Sequence, residues 1–308
     1  MLFFRINIVF KLLVIIFVGS LLSCKRNEEV EFSQNSCKKF PAFASQLGFK
    51  NANFETADPR IRGLVLRQRE VPGNLSSRVI KEFQHPSWKQ AGWLAPVLID
   101  NEGNIFTAPA PFVGIEYNPI IKNNIIYRVN QLNGEMKEFV KLPGADSINT
   151  ENPFGIIGMA YLCEAQVLYI STVAGSSRYK QQGSVYAVDA KTGKILDRLS
   201  NYDVLGLGIS YASGHRELFL GMARSSEVYS VYLDKKGKFS SRPKFAFTLS
   251  GLGPAGDDKA RKIAADKQGN LTVYGFEFGF NLIPARDKKE TVFQFQFAAE
   301  EGKWKFKN

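Results

Sequence analysis

The sequence predicts an all-β chain folded as a β-propeller of four-stranded antiparallel blades, and two observations predict it. Phe, Tyr, Val and Ile dominate the chain beyond its first residues, glycine-containing turns punctuate it about every eight to fifteen residues, and no long stretch shows helical periodicity. The chain also resembles itself about every 50 to 60 residues. Each unit offers an apolar strand, a turn, a second strand with an aromatic residue, a loop, a third strand of the type apolar-Tyr-X-apolar, a Gly-containing turn and a fourth strand. One such sheet cannot shield both of its faces, so several pack face to face around an axis.

The clearest copy runs from Asn152 to Ser200. Its second strand is Val167-Leu168-Tyr169-Ile170-Ser171, its third is Gly183-Ser184-Val185-Tyr186-Ala187-Val188-Asp189, and Lys191-Thr192-Gly193-Lys194 turns into the fourth. Before it, Gly103-Asn104-Ile105-Phe106 and Ile125-Ile126-Tyr127-Arg128-Val129 are second and third strands, with the turn Leu132-Asn133-Gly134-Glu135. After it come Glu217-Leu218-Phe219-Leu220, Glu227-Val228-Tyr229-Ser230-Val231 and the turn Asp234-Lys235-Lys236-Gly237-Lys238. A last copy begins at Arg261, turns at Ala265-Asp266-Lys267-Gln268-Gly269-Asn270, and continues with Leu271-Thr272-Val273-Tyr274 and Phe280-Asn281-Leu282-Ile283 as second and third strands. Ahead of Trp93, Gly63-Leu64-Val65-Leu66 and Val79-Ile80-Lys81-Glu82-Phe83 are the later strands of one more unit. Five repeats are readable. Six are reached if residues 32–60 and the strand Trp304-Lys305-Phe306 complete another blade across the ring closure, which would protect the terminal edges. On this reading Tyr127, Tyr186 and Tyr229 occupy matching places in successive sheets.

The chain begins with an address. Arg5 and Lys11, with no acidic residue, lead into an apolar stretch from Leu12 to Leu22, the order of an export signal. The stretch is roughly half of the about 20 apolar residues that a membrane-spanning helix needs. Leu21-Leu22-Ser23-Cys24 resembles the lipobox of bacterial lipoproteins, which implies cleavage after Ser23 and acylation of Cys24. The expected organisation is a lipoprotein signal peptide over 1–23, a lipidated tether over 24–36 and a single propeller domain over 37–308. Acyl chains hold a soluble domain at a bilayer because each buried methylene contributes about 0.8 kcal/mol. Lys25, in place of the aspartate that favours inner-membrane retention, implies an outer-membrane lipoprotein facing the periplasm or the cell surface. Glu28, Glu29 and Glu31 resemble a surface-export signal.

The formal charge of +11 loses two with the signal and still favours acidic neighbours. The lysines are dispersed, however, and the denser groups Lys235, Lys236, Lys238 and Lys303, Lys305, Lys307 lack interleaved aromatics, so nucleic acid is not an expected partner. Beyond Cys24 only Cys37 and Cys163 remain. Export permits a bond between them without requiring it, and Cys163 in its apolar run has the setting of a buried free thiol. No cysteine spacing fits a metal site.

The units resemble those of the gluconolactonase-like, NHL-repeat and TolB-like propellers, and Val185 to Lys194 is similar to repeats of quinoprotein-type propellers. This repeat pattern is shared by unrelated activities. The resemblance places a site where the loops between first and second strands, and between neighbouring blades, converge on the central channel. Gluconolactonase-like enzymes hold a divalent metal there with a glutamate, asparagines and an aspartate, and use an acidic base. The family's Glu-Gly-Pro segment is absent here. Asn118, Asn152 and Asp203 fall at roughly corresponding positions, and their oxygens would suit a hard cation such as calcium. Asn118-Pro119 and Asn152-Pro153 are equally read as loop initiators, in which the asparagine caps its own turn. Apart from calcium in that role, the sequence requires no cofactor.

Two loops that follow second strands carry an arginine at equivalent places. Ser171 to Arg178 is hydroxyl-rich, and Gly221-Met222-Ala223-Arg224-Ser225-Ser226 aligns with it in the next unit. Arg178 and Arg224, with Ser176 and Ser177, form a candidate site for carboxylate, sulfate or phosphate. The alternative is that each arginine pairs with a neighbouring blade. Trp88 and Trp93 are candidates for stacking a sugar or peptide, or else wedges between sheets. His85 and His215 belong to no Ser/His/Asp set. The function expected from sequence is therefore a membrane-anchored extracytoplasmic propeller that binds or scaffolds an acidic glycan, a peptide or an envelope protein. The alternative is a gluconolactonase-like metal-dependent hydrolase acting in the channel.

Overall fold

Strand pairing follows the repeat. The computed structural model describes residues 37–56, 58, 60–110, 118–144, 152–254, 256–280 and 290–307, all within one compact unit, Ser33–Asn308. The first sheet holds β1 (Asn53–Glu55), β2 (Val65–Arg69) and β3 (Val79–Phe83). The second holds β4 (Leu94–Ile99), β5 (Ile105–Pro109), β6 (Ile125–Val129) and β7 (Met136–Lys141). The third runs β8 (Ile156–Leu162), β9 (Val167–Thr172), β10 (Ser184–Asp189) and β11 (Ile195–Ser200). The fourth runs β12 (Val204–Ser210), β13 (Glu217–Met222), β14 (Glu227–Tyr232) and β15 (Lys244–Thr248), and the fifth β16 (Lys259–Ala265), β17 (Leu271–Phe276), β18 (Thr291–Ala298) and β19 (Lys303–Lys307). Every sheet is an antiparallel meander in chain order, and the five form a five-bladed β-propeller.

Five blades, not six, account for the described strands. The segment Trp304-Lys305-Phe306 belongs to β19, which pairs with β18 inside the fifth sheet, and residues 53–55 pair with β2 inside the first. Among the described residues no blade is therefore shared between the two ends of the chain. The third strand of the last blade is β18; Phe280 lies in the loop before it, and Asn281, Leu282 and Ile283 fall outside the described residues. Among the described residues the first blade has three strands. In the second, third and fourth blades the strand that precedes the crossover to the next sheet is the outer one. By that rule β3, exposed along almost its whole length, is outer and the inner place is the one without a strand. Residues 1–36, with Cys24, also lie outside the described residues.

Each gap between consecutive sheets is filled by one apolar cluster. Leu64, Leu66 and Trp88 of the first blade meet Ile105, Tyr127 and Met136 of the second. Phe106, Ile126 and Leu142 meet Leu168, Ile170 and Tyr186 of the third. Val167, Tyr169 and Val185 meet Leu207, Leu218 and Leu220 of the fourth, and Phe219, Val228 and Phe247 meet Ile263, Val273 and Phe293 of the fifth. The division arises from the pleat: alternate residues of one strand, such as Val185 and Tyr186, enter the clusters on opposite faces. Tyr127, Tyr186 and Tyr229 are each the third residue of a third strand, and each faces the preceding blade. At the axis, glycines let the inner strands approach: a Cβ at Gly158 would stand 2.7 Å from the Leu205 carbonyl oxygen, and one at Gly206 2.5 Å from that of Ala260.

Two devices hold the first blade, whose sheet is a strand short. Helix α1 (Ala42–Gln46) and helix α2 (Pro86–Lys89) bring Phe43 and Trp88 together with Phe54 and Phe83, and the indole Nε1 of Trp88 donates to the Gly134 carbonyl at 2.8 Å. On the opposite face Arg67 bonds Glu55, Asp58 and Glu82, and Arg69 bonds Glu55 at 2.9 Å. Burial pushes the Glu55 carboxyl up, but hydrogen bonds from Arg69 and Arg67 outweigh it and hold the group below the usual glutamate range.

Cys163 is not a free thiol. It is half-buried and bonded to Cys37, with a Cα–Cα distance of 5.7 Å, so the amino-terminal arm is fastened to the turn between β8 and β9. The bond closes a loop across 126 positions, and the chain-entropy model assigns such a loop about 5 kcal/mol. Replacing both cysteines by serine should lower the unfolding free energy by about that amount in a denaturant titration, without loss of β-sheet signal in circular dichroism.

Candidate functional site

The candidate residues sit at one end of the strands, the end of the inter-blade connections that the resemblance named and not that of the first-to-second loops it named with them. Asn118, Arg178 and Arg224 follow second strands, and Asn152 and Asp203 precede first strands, so the site end is formed by second-to-third loops and inter-blade connections. The first-to-second turns, such as Asp266 to Asn270, lie at the opposite end because antiparallel strands alternate direction.

Asp203 is the centre of this end. It immediately precedes β12, its side chain is wholly buried, and every part of its carboxylate is used. Oδ1 accepts from the Ser176 hydroxyl and from the Gly183 amide at 2.8 Å, and Oδ2 accepts from Arg224 Nε. The remaining Arg224 nitrogens donate to backbone carbonyls of the preceding blade: Nη1 to Arg178 at 3.1 Å, and Nη2 to Ser177 and Lys180 at 2.7 Å each. Its guanidinium lies over the Phe280 ring, 4.8 Å from the centroid. Arg224 therefore folds the 177–180 loop and is neutralised by Asp203. It is not an open fork for a ligand.

Two further cations stand beside it. Arg178, carried on the loop that Arg224 fastens, is exposed and lies 5.8 Å from the Tyr179 ring. Lys259, the first residue of β16, donates to the Asp257 carbonyl and stands 3.6 Å from the exposed Asp257 carboxylate. Arg178, Arg224 and Lys259 line one cavity of about 500 Å³ with Ala223, Phe278, Gly279 and Phe280. Its aromatic side extends inward: Phe278 packs on Phe280 and on Phe154, in each case with centroids 5.4 Å apart. Blades three, four and five thus contribute to a single opening with a cationic rim and phenylalanine walls.

The other sequence candidates are structural in this geometry. Asn118 accepts from the Trp93 amide and donates to the Trp93 carbonyl, both at 2.8 Å. Asn152 accepts from the Phe154 amide at 3.0 Å and donates to the Val173 and Ser176 carbonyls. Asn152 and Asp203 meet through Ser176, whereas Asn118 latches a different loop, so the three do not gather into one ligand set. Each of their oxygens already accepts a hydrogen bond, which does not fit a calcium cage of free oxygen donors. Ser177 accepts from the Tyr179 and Lys180 amides and shapes the same loop. Trp88 is fully buried and offers no face for stacking, and Trp93 is half-buried beside Asn118.

Lys259, Phe278 and Phe280 escaped the sequence reading. A signal was present: Glu277-Phe278-Gly279-Phe280 follows the second strand of the last repeat, where Ala223-Arg224 follows that of the repeat before it. Placing Phe280 in a strand hid the alignment.

No protein-family model matches the sequence, and no curated protein matches it. Among solved structures it is similar to a chain of a nidogen/laminin complex (17% identity, TM-score 0.36, 60% of this chain and 58% of that one). It is also similar to the soluble aldose sugar dehydrogenase of Escherichia coli (13%, 0.40, 73% and 74%) and to a gluconolactonase of Xanthomonas campestris (14%, 0.42, 73% and 64%). The aligned part is less than two thirds of the nidogen/laminin and gluconolactonase chains. At these identities and TM-scores no residue role is taken from the likeness.

Removing Arg224 strands a buried carboxylate. Arg224→Ala should destabilise the domain by about 3–5 kcal/mol. Adding Asp203→Asn should recover part of that loss in a urea titration, because the unpaired charge is then gone.

Proposed function

We propose that the protein is a binding propeller whose ligand site is the cavity rimmed by Arg178, Arg224 and Lys259, and that it takes an anionic ligand. One observation carries this: with Arg224 neutralised by Asp203, the opening retains Arg178 and Lys259, and among the described residues the one carboxylate in ion-pair reach of either is the exposed Asp257. Two such cations in a partly desolvated opening favour an acceptor-only group such as carboxylate, sulfate or phosphate. The cavity volume is that of a small-molecule or peptide-end site. The hydrolase alternative asks Asn118, Asn152 and Asp203 for metal-ligand oxygens that are engaged elsewhere, and no observation favours it.

Titration with inorganic phosphate, followed by backbone amide shifts, should perturb Arg178, Lys259 and Phe278 to Phe280. Arg178→Gln with Lys259→Gln should weaken binding about tenfold or more, since charged hydrogen bonds are worth about 1.5–3 kcal/mol each. Undiminished binding by the double variant would overturn the assignment.

The site is also proposed to work outside the inner membrane, on a body tethered through acylated Cys24 at the outer membrane. The support is the sequence order of charge, apolar stretch and Leu21-Leu22-Ser23-Cys24. Metabolic labelling with palmitate should mark the full-length protein and not its Cys24→Ser variant.

A further inference from the structure

Building on the anion-site reading, we infer that the ligand is an amphiphilic anion, a carboxylate or similar acceptor-only head on an apolar body, and not a glycan. The cavity places three kinds of side chain against a ligand: the cations Arg178, Arg224 and Lys259, the rings Phe278 and Phe280, and the small Ala223 and Gly279. None of these side chains carries a hydrogen-bond acceptor. On the adjoining backbone, Arg224 occupies the carbonyls of Ser177, Arg178 and Lys180, and Lys259 occupies that of Asp257. Among the described residues the lining side chains are therefore donor and hydrocarbon only.

A sugar ring brings several hydroxyls, each a donor as well as an acceptor. In this cavity the donors would be desolvated without partners, which costs more than their acceptor halves return. A carboxylate has no donor to strand, and it meets two cations. What it leaves over must be apolar, because the rest of the wall is phenylalanine that continues through Phe278 to Phe154. Apolar area buried against these rings contributes to affinity, whereas hydroxyls placed there would lose water for nothing. The chemistry is shared by an arylalkanoic acid and by the free carboxyl end of a peptide whose last side chain is apolar.

The test compares four probes by isothermal titration on the folded protein: 4-phenylbutyrate, its uncharged counterpart 4-phenylbutanol, digalacturonate, and an N-acetylated tetrapeptide ending in phenylalanine with a free carboxyl. Phenylbutyrate should bind at least tenfold more tightly than both the alcohol and the galacturonate. Phe278→Ser should weaken phenylbutyrate at least fivefold more than it weakens phosphate. Tight tetrapeptide binding identifies a peptide end as the source of the head group, and weaker binding than phenylbutyrate identifies a small acid. Galacturonate binding as tightly as phenylbutyrate, with loss in Arg178→Gln, overturns this inference and leaves the anion site standing. If the alcohol equals the acid, or no anion binds, the anion site itself falls. A phenylbutyrate affinity that Phe278→Ser does not alter overturns the placement of the apolar body.

Discussion

The structure depends on the inability of any one sheet to cover its own two faces. Residues such as Val185 and Tyr186 alternate along a strand, so β10 is apolar on both sides and is satisfied only between two other sheets. Fully burying a side chain of this size contributes about 1.5–3 kcal/mol, and each cluster between consecutive sheets contains eight or more of them. Stacking is thus obligatory. Glycines such as Gly158 and Gly206 then decide how near the inner strands come, because a Cβ at either would enter a neighbouring backbone.

Once the sheets are gathered, one end of every second strand and the start of every first strand lie together. Asp203 and Arg224 exploit this by fastening the loop of one blade to the body of the next. A buried ion pair of this kind is costly to form and costlier to break, and its effect here is to fix geometry. It sets the 177–180 loop, and that loop presents Arg178 to solvent beside Lys259 and the phenylalanines of the fifth blade. The proposed ligand chemistry builds on what the clasp consumes: by occupying the carbonyls of Ser177, Arg178 and Lys180, Arg224 leaves that loop fewer acceptors for a hydroxylated ligand.

Much of the fold was legible because strands and turns are local. Asp-to-Gly turns such as Asp189 to Gly193 and Asp234 to Gly237 place an aspartate that accepts backbone amides two and three or four residues on, a signature readable from spacing. The third strands marked by Tyr127, Tyr186 and Tyr229 were readable for the same reason. The last blade was misread at Phe280 because its second-to-third loop is long and aromatic, and aromatic runs look like strands. The three-stranded first blade was missed because a place without a strand leaves no residues to read. Of the site, Arg178 and Arg224 were found by their equivalent positions. Their division of labour was not, since it turns on the burial of Asp203, more than twenty residues from either Arg178 or Arg224 in sequence.

By itself the sequence determined the class of the protein: two-faced strands, turns at fixed offsets and a repeated unit leave a radial stack as the way to bury what they carry. Tertiary structure alone decided the number of blades, the partner of Cys163, the end of the strands that bears the cavity, and which of two equivalent arginines is spent and which is free. The physical reason is that periodicity records which side of a strand is apolar, whereas pairing, desolvation and the exhaustion of hydrogen-bond acceptors depend on groups that meet only after the sheets have packed.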